Sequence, residues 1–258
     1  MGKLKSDIAL LNTSDNKLVG KQIINLSHVE STMDEAKNLA ICGAREGLVV
    51  IADRQSKGRG RFNRKWLTTP GQDVTISILL KPVFSQLHML NMIASLAIKE
   101  TIFKITQEEA EIKWPNDVLF KGKKVSGILI ETAMSNSTQV DFAVVGIGLN
   151  VNLDPADEES IKDSATSIGL ITHDTIDKYL VLTTLLSLID KRYQLVLQGK
   201  DLCSEWSSKL STIGTTVKVS NGKNIILGYA LGVDSVGNLI IETNKEKITV
   251  SSGDVTLI

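Results

Sequence analysis

Apolar residues are not spread evenly along this chain; they gather in short runs of differing period. Gly47-Leu48-Val49-Val50-Ile51-Ala52 is apolar throughout, and Asp73-Val74-Thr75-Ile76-Ser77-Ile78-Leu79-Leu80 is nearly so before Lys81-Pro82 ends it. Continuous runs of that length predict buried strands. Between Ser31 and Ala40 the spacing changes to helical. Ser31 or Thr32 can cap a helix through Asp34, Ala36, Leu39 and Ala40, and Asp34 suits its acidic first turn. A long helix is predicted from Ser85 to Ile105. Three further strands follow around 110–120, 124–133 and 140–150, with Lys121-Gly122-Lys123 turning the first into the second. The stretch after Asp154-Pro155 is acidic and loop-rich, and helical spacing returns around 174–197 and 202–210. From Gly214 the pattern becomes short β runs broken by Asn221-Gly222 and Val236-Gly237-Asn238, which are hairpin signals. The expected organisation is an arm (1–22), a large unit (23–211) and a small β-barrel (212–258), with no internal repeat.

Composition narrows the function. The chain has 258 residues, and Lys+Arg 29 balances Asp+Glu 29. No bulk field recruits nucleic acid or an anionic membrane, so neither DNA nor membrane is an expected partner. Cys42 and Cys203 lie far apart with no metal-ligand spacing, which fits a reduced cytoplasmic setting. No apolar run follows Met1 to act as a signal peptide, and none approaches a membrane span in length.

Against that balance, Gly58-Arg59-Gly60-Arg61-Phe62-Asn63-Arg64-Lys65-Trp66 is a local concentration of cations. Arginines offer planar donor forks for phosphate or carboxylate, and glycines let backbone N–H groups approach an anion. Trp66 offers a flat face for a purine. The same residues could form a solvated basic loop. Three more stretches carry polar groups where strands end. In Lys113-Trp114-Pro115-Asn116-Asp117 the lysine can bind an anion, the asparagine and aspartate can orient polar ligand atoms, and the aspartate can help hold a metal; a plain Asn-Asp turn is the alternative. In Lys124-Val125-Ser126-Gly127-Ile128-Leu129-Ile130-Glu131 a glycine interrupts an apolar strand, a common mark of close approach. Gly146-Ile147-Gly148-Leu149-Asn150-Val151-Asn152 repeats that device, although Asn150 could be only a turn former. His28, His88 and His173 are scattered, and no zinc or Ser-His-Asp constellation is visible.

Taken together and in this order, Ser31-Thr32, Gln55 and these four stretches resemble the biotin–protein ligase family, over roughly residues 23–206. The resemblance implies an α+β fold related to class II aminoacyl-tRNA synthetases, a mixed sheet with flanking helices, followed by a small SH3-like β-barrel. It implies that biotin and ATP, with magnesium, give biotinyl-5′-adenylate, and that the biotin then passes to a lysine of a biotin carboxyl carrier protein. It also implies residue roles. Ser31, Thr32, Gln55, Gly58, Arg59, Arg61, Lys124 and Gly127 match the biotin site. Arg59, Arg61, Arg64, Trp66, Lys113, Asn116, Asp117 and Asn150 match the ATP site. Lys124, Asp117 and Arg61 are the expected catalytic residues, and Asp117 is the candidate for magnesium. Biotin's carboxylate and the α-phosphate repel one another, and a cation such as Lys124 between them lowers that repulsion.

The family also suggests a homodimer. Its longer members carry an N-terminal DNA-binding module of some sixty residues; about twenty residues precede the match here, so no operator binding is expected. Met33 stands where many members have asparagine. A lipoate–protein ligase would share the fold, but its Arg-Arg-x-Ser-Gly-Gly-Gly loop is absent. A dinucleotide oxidoreductase is disfavoured because Gly58-Arg59-Gly60 lacks the third glycine and following helix. A non-enzymatic biotin-responsive binder would have no need of the intact lysine, asparagines and aspartate.

Overall fold

A computed structural model describes residues 15–220 and 225–258. Most of the expected N-terminal arm and the Asn221-Gly222 turn lie outside them. The chain is α+β, as expected. Strands β1 (Ile23–Leu26), β2 (Val49–Ala52), β3 (Val74–Leu80), β4 (Glu111–Lys113), β5 (Asp117–Phe120), β6 (Lys123–Met134) and β7 (Val140–Leu149) form one mixed sheet in the order β1-β2-β3-β7-β6-β5-β4. β1 and β2 are parallel, and the other neighbours are antiparallel. Helix α1 (Thr32–Ile41) covers one face with Met33, Ala36 and Ala40 against Leu48, Val50, Leu79 and Val144. Helices α2 (Met89–Thr106) and α4 (Lys178–Leu197) belong to the larger core, with Val49, Ile51, Ile76 and Ile78. Helices on both faces explain why β2 and β3 read as continuous apolar runs rather than alternating ones.

Several boundaries differ from the sequence pattern, for local reasons. The long helix begins at Met89 because Val83 to Gln86 forms a 3₁₀ turn, in which Gln86 Oε1 accepts from Val83 N and Gln86 Nε2 donates to Val196 O. The 110–120 strand is two strands, β4 and β5, separated at Trp114–Pro115, since proline has no N–H for a ladder. A short helix α3 (Ile168–Thr172) lies in the stretch read as loop. Asp177 caps α4 by accepting from Tyr179 N, so that helix starts at Lys178 rather than Asp174. The next, α5, covers only Cys203–Ser207.

The remaining strands, β8 (Thr216–Ser220), β9 (Ile225–Val233), β10 (Leu239–Glu242), β11 (Lys247–Val250) and β12 (Asp254–Leu257), form an antiparallel sheet in the order β11-β10-β9-β8-β12. No pairing of β11 with β12 closes it into a barrel among the described residues. The two sheets share one core, in which Val217, Val219, Ala230, Leu239 and Ile241 sit with Met92, Trp114 and Trp206. No described helix is long and apolar enough to cross a membrane.

Candidate active site

The glycines of β6 and β7 form the floor of a cleft of about 350 Å³. Gly127 pairs with Gly148, and Gly146 follows on the same face. A Cβ at Gly146 would lie 2.7 Å from Met33 Sδ, and one at Gly127 would lie 3.0 Å from both Lys124 Cε and Trp66 Cζ3. At Gly148 it would fall within the Trp66 indole. The interruptions seen in the sequence are therefore close-approach positions, admitting Met33, Trp66 and Lys124 onto the strands. Trp66 Nε1 is buried there without a hydrogen-bond partner.

At one end the polar groups are fixed. Thr32 N and Oγ1 both donate to Gln55 Oε1, at 2.7 and 3.1 Å, and Ser77 Oγ donates to Thr32 Oγ1 at 2.8 Å. Gln55 therefore has its carbonyl oxygen held, and its Nε2 points toward Gly58, where a Cβ would sit 3.1 Å away. Ser31 precedes α1, yet its hydroxyl makes no cap bond, although the residue is only 2% exposed. The result is an apolar slot ending in aligned amide and hydroxyl groups, suited to a small ring with polar edges.

The other end is cationic. Arg61, Arg64, Lys65, Lys113 and Lys124 line it, against the carboxylates of Asp117 and Asp254. Lys124 Nζ is 2.6 Å from Asp117 Oδ1, close enough for an ion pair but not aligned as a hydrogen bond. It also lies 5.5 Å from the Trp66 ring centroid. Arg61 Nη1 donates to Asn116 Oδ1 at 3.0 Å and to Gly253 O at 3.1 Å. Burial pulls its pKa down, and the charges of Asp117 and Asp254 oppose that shift. Phe62, at φ 56°, turns the loop between Arg61 and Arg64.

Two of the loop's arginines engage carboxylates of the chain itself, where the sequence suggested only ligand anions. Arg59 grips Asp34 through both Nη atoms, at 2.5 and 2.7 Å, and lies 3.6 Å from Glu131. Lys37 closes this cluster, 2.9 Å from Asp34 and 2.6 Å from Glu131. The Arg59 hydrogen bonds hold the Asp34 carboxyl far below the usual range. Arg64 pairs with Asp254, and this bond lowers the Asp254 pKa.

The two asparagines hold the walls. Asn116 Nδ2 donates to Ile128 O at 2.7 Å, and Asn150 Nδ2 donates to Thr166 O at 3.0 Å and Lys124 O at 3.4 Å. Asp73, which sequence reasoning missed, gathers four backbone N–H groups: Thr69 on Oδ2, and Val151, Asn152 and Leu153 on Oδ1. It ties the root of the basic loop to the end of β7. Burial raises its pKa against those four bonds.

Ser31, Thr32, Gln55, Arg59, Arg61, Arg64, Trp66, Lys113, Asn116, Asp117, Lys124, Gly127 and Asn150 all line the cleft. Gly58 lies just behind it, against Gln55 and Trp66 O. Asp34, read from sequence only as a first-turn helix acid, and Glu131 and Asp254 were not expected at the site. Glu131 lies within β6 after an apolar run and Asp254 begins β12 after Ser-Gly, which are weak signals without the fold. Among the described residues no group of three or more His, Cys, Asp or Glu side chains is arranged to hold a metal ion. Magnesium keeps several waters and typically takes one or two protein carboxylates plus substrate phosphates. Asp117 fits that modest part, since its buried Oδ1 has Lys124 Nζ beside it but no hydrogen bond.

Residues 26–150 match the biotin/lipoate A/B protein ligase family, and residues 212–257 match the biotin protein ligase C terminal domain. The chain is 34% identical to the bifunctional ligase/repressor BirA of Bacillus subtilis, over 93% of this chain and 75% of that protein. It is 30% identical to the biotin--[acetyl-CoA-carboxylase] ligase of Paracoccus denitrificans, over 89% of this chain and 98% of that one. Its backbone is similar to the biotin protein ligase from Aquifex aeolicus in complex with biotin and ATP, with a TM-score of 0.79, 34% identity, and coverage of 92% of this chain and 99% of that chain.

Proposed function

The chain belongs to the biotin protein ligase family, and from that premise we propose how its cleft performs the reaction. It is an ATP-dependent biotin–protein ligase: it forms biotinyl-5′-adenylate from biotin and ATP and transfers biotin to a lysine of a carrier protein. The observation that carries the residue assignments is the position of Lys124. Its ammonium stands where the apolar slot meets the cationic half, beside Asp117 and over Trp66.

Biotin's ring system binds at the Ser31, Thr32 and Gln55 end, with the backbone at Gly58 and the glycine floor at Gly127 beneath it. Its carboxylate then points toward Lys124. The triphosphate lies among Arg61, Arg64 and Lys113, with Trp66 against the nucleotide; Asn116 and Asn150 shape that wall through the backbone they hold. A carboxylate oxygen attacks the α-phosphorus, the bond to the β-phosphate oxygen breaks, and pyrophosphate leaves. Lys124 stabilises the charge gathering between the two anions. Magnesium, when bound with ATP, neutralises phosphate charge, and Asp117 is the residue that would hold it. In the second step the neutral amine of the acceptor lysine attacks the acyl carbon and AMP leaves. Asp117 is placed to take the proton released. Arg59 orders the loop from outside through Asp34 and Glu131, so that its backbone, rather than its guanidinium, faces biotin.

The organisation that suits this reading is a biotin- and ATP-binding unit at 23–211 and an SH3-like unit at 212–258. The partner is a biotin carboxyl carrier protein or domain. Zero net charge argues against DNA, and two free cysteines suit the cytoplasm. Homodimerisation through an edge of the large sheet is part of the same reading.

Pyrophosphate release from ATP tests it, with biotin, lipoate and octanoate compared. Release with biotin alone is expected; release with lipoate and not biotin would overturn the assignment. Lys124→Ala should slow adenylate formation by about 2–4 kcal/mol in barrier, the scale for losing a preorganised donor. Unchanged adenylation in that variant would remove Lys124 from the mechanism.

A further inference from the structure

β9 wears its side chains inside out. It lies between β8 and β10, so its backbone is paired on both sides. Ile226, Gly228 and Ala230 take the inward face, where a Cβ at Gly228 would meet Ile241 and the Glu242 backbone, and a β-bulge opposite Ile240–Ile241 ends the alternation beyond Ala230. The outward positions hold Ile225, Leu227, Tyr229 and Leu231, exposed by 65, 59, 46 and 37%. Outward positions of a solvated antiparallel sheet are usually polar, and the residues facing Leu227 and Tyr229 obey that rule. Thr216 and Lys218 stand opposite Tyr229 and Leu227 on β8, and Glu242 stands opposite Tyr229 on β10. An apolar stripe with a polar rim is the anatomy of a docking surface.

The register says where the stripe leads. Ile225 pairs with Ser220, and Ser220 pairs with Asp254, so the three side chains share one face. Asp254 lines the cleft and holds Arg64. With strands about 4.8 Å apart, the stripe begins about 10 Å from the cleft rim and runs about 20 Å outward along β9. We propose that this stripe is the seat of the protein acceptor: the folded carrier domain lays an apolar surface on Leu227 and Tyr229 while its lysine enters the cleft past Asp254. This rests on the ligase reading. The second half-reaction requires a macromolecule at this rim, and the stripe is continuous with the rim through a single row of paired residues. The first half-reaction uses only small substrates and has no need of it.

Leu227→Glu and Tyr229→Ser, singly and together, test the seat; both positions are too exposed for the fold to depend on them. Leu180→Glu, at a leucine 53% exposed on α4, is the control. Pyrophosphate release from ATP and biotin without acceptor should match the unaltered protein, and so should biotin transfer to hydroxylamine, a small nucleophile. Transfer to a purified apo biotin carboxyl carrier domain should lose on the order of tenfold or more in acceptor KM for the double variant, as expected for removing central apolar anchors. The control should keep its KM. An unchanged acceptor KM would overturn the seat. So would an equal loss toward hydroxylamine, which would place the defect in the cleft, or a fall in self-association by sedimentation with carrier KM intact, which would give the stripe to a second copy. Failure of the unaltered protein to release pyrophosphate with biotin would instead overturn the ligase reading, and the seat would fall with it.

Discussion

The glycine floor makes a graded prediction. A methyl added at Gly148 would intrude on the Trp66 indole itself, so the ring must leave the strand. Overpacking of this kind costs about 1–3 kcal/mol. Trp66 rides on a loop that can give way, so the folding cost should fall near the low end, a shift of about 2–4 °C per kcal/mol for a chain of this size. The rest should appear in binding, because displacing the ring also removes its contact with Lys124, 5.5 Å from its centroid. Gly148→Ala should therefore raise the KM for both biotin and ATP by on the order of tenfold with little loss of Tm. Gly127→Ala touches the edge of the Trp66 ring and the far end of the flexible Lys124 side chain, each at 3.0 Å, so the ring gives only slightly while the ammonium, 3.1 Å away, is pushed aside. It should lower kcat more than it raises KM. Gly60→Ala meets only Arg64 O at 3.6 Å, an ordinary contact, and should behave as the unaltered protein. Steady-state adenylation and thermal unfolding of the three variants are the assay. If Gly148→Ala bound both substrates normally, or Gly60→Ala were equally impaired, the idea that absent side chains shape this cleft would be refuted.

Other outcomes follow from the loop and the core. Arg61→Gly removes the side chain that bonds both Asn116 and Gly253 O, so biotinyl-adenylate should escape and label lysines on unrelated proteins, read by a bystander-labelling assay. Asp34→Asn should loosen the 56–71 loop at pH 7, seen as faster amide exchange than in the unaltered protein. The Asp34 pKa is depressed by Arg59, so the stability it adds is present above the ordinary carboxylate value and is lost as pH falls. Loop protection, corrected for intrinsic exchange, should hold from pH 8 to 5 and weaken only below about pH 4. Tyr193 is pushed the other way, upward, by burial and then by its hydrogen bond to Glu46. Its contribution is complete below about pH 10 and fades above it. Tyr193→Phe should be less stable than the unaltered protein at pH 8, and the gap in denaturant-unfolding free energy should narrow as pH rises above about 10.

The order of elements and the walls of the cleft were legible because their signals are local. Continuous apolar runs marked β2 and β3, and glycines inside apolar strands marked the floor. What stayed hidden depends on contacts between distant residues. Asp73 reads as the first residue of a strand, and its clasp on Val151, Asn152 and Leu153 joins positions nearly eighty apart in sequence. Asp34 reads as a first-turn helix acid, and only the fold turns it toward Arg59. The break of 110–120 into β4 and β5 was foreshadowed by Pro115, whose missing N–H outweighs the apolar pattern around it. The β9 stripe was invisible because alternation shows which residues share a face and not which face meets water.

Trp114 has a consequence for anyone wishing to shorten this protein. Its backbone N–H donates to Thr212 Oγ1 and its indole N–H to Gly237 O, both at 2.9 Å, and Gly237 in turn sits against Met92 and Trp206. The turn that carries Asn116 and Asp117 is thus bolted at its base to the second sheet. Cutting the chain near residue 212 would strip two buried tryptophans of their cover and leave the Trp114 indole donor without its acceptor, at the foot of the very turn that aims Asp117. A trimmed labelling reagent built from the first unit alone would lose its aim before it lost its pocket; the tail is a strut of the chemistry, and any miniature must keep it or rebuild what Gly237 supplies.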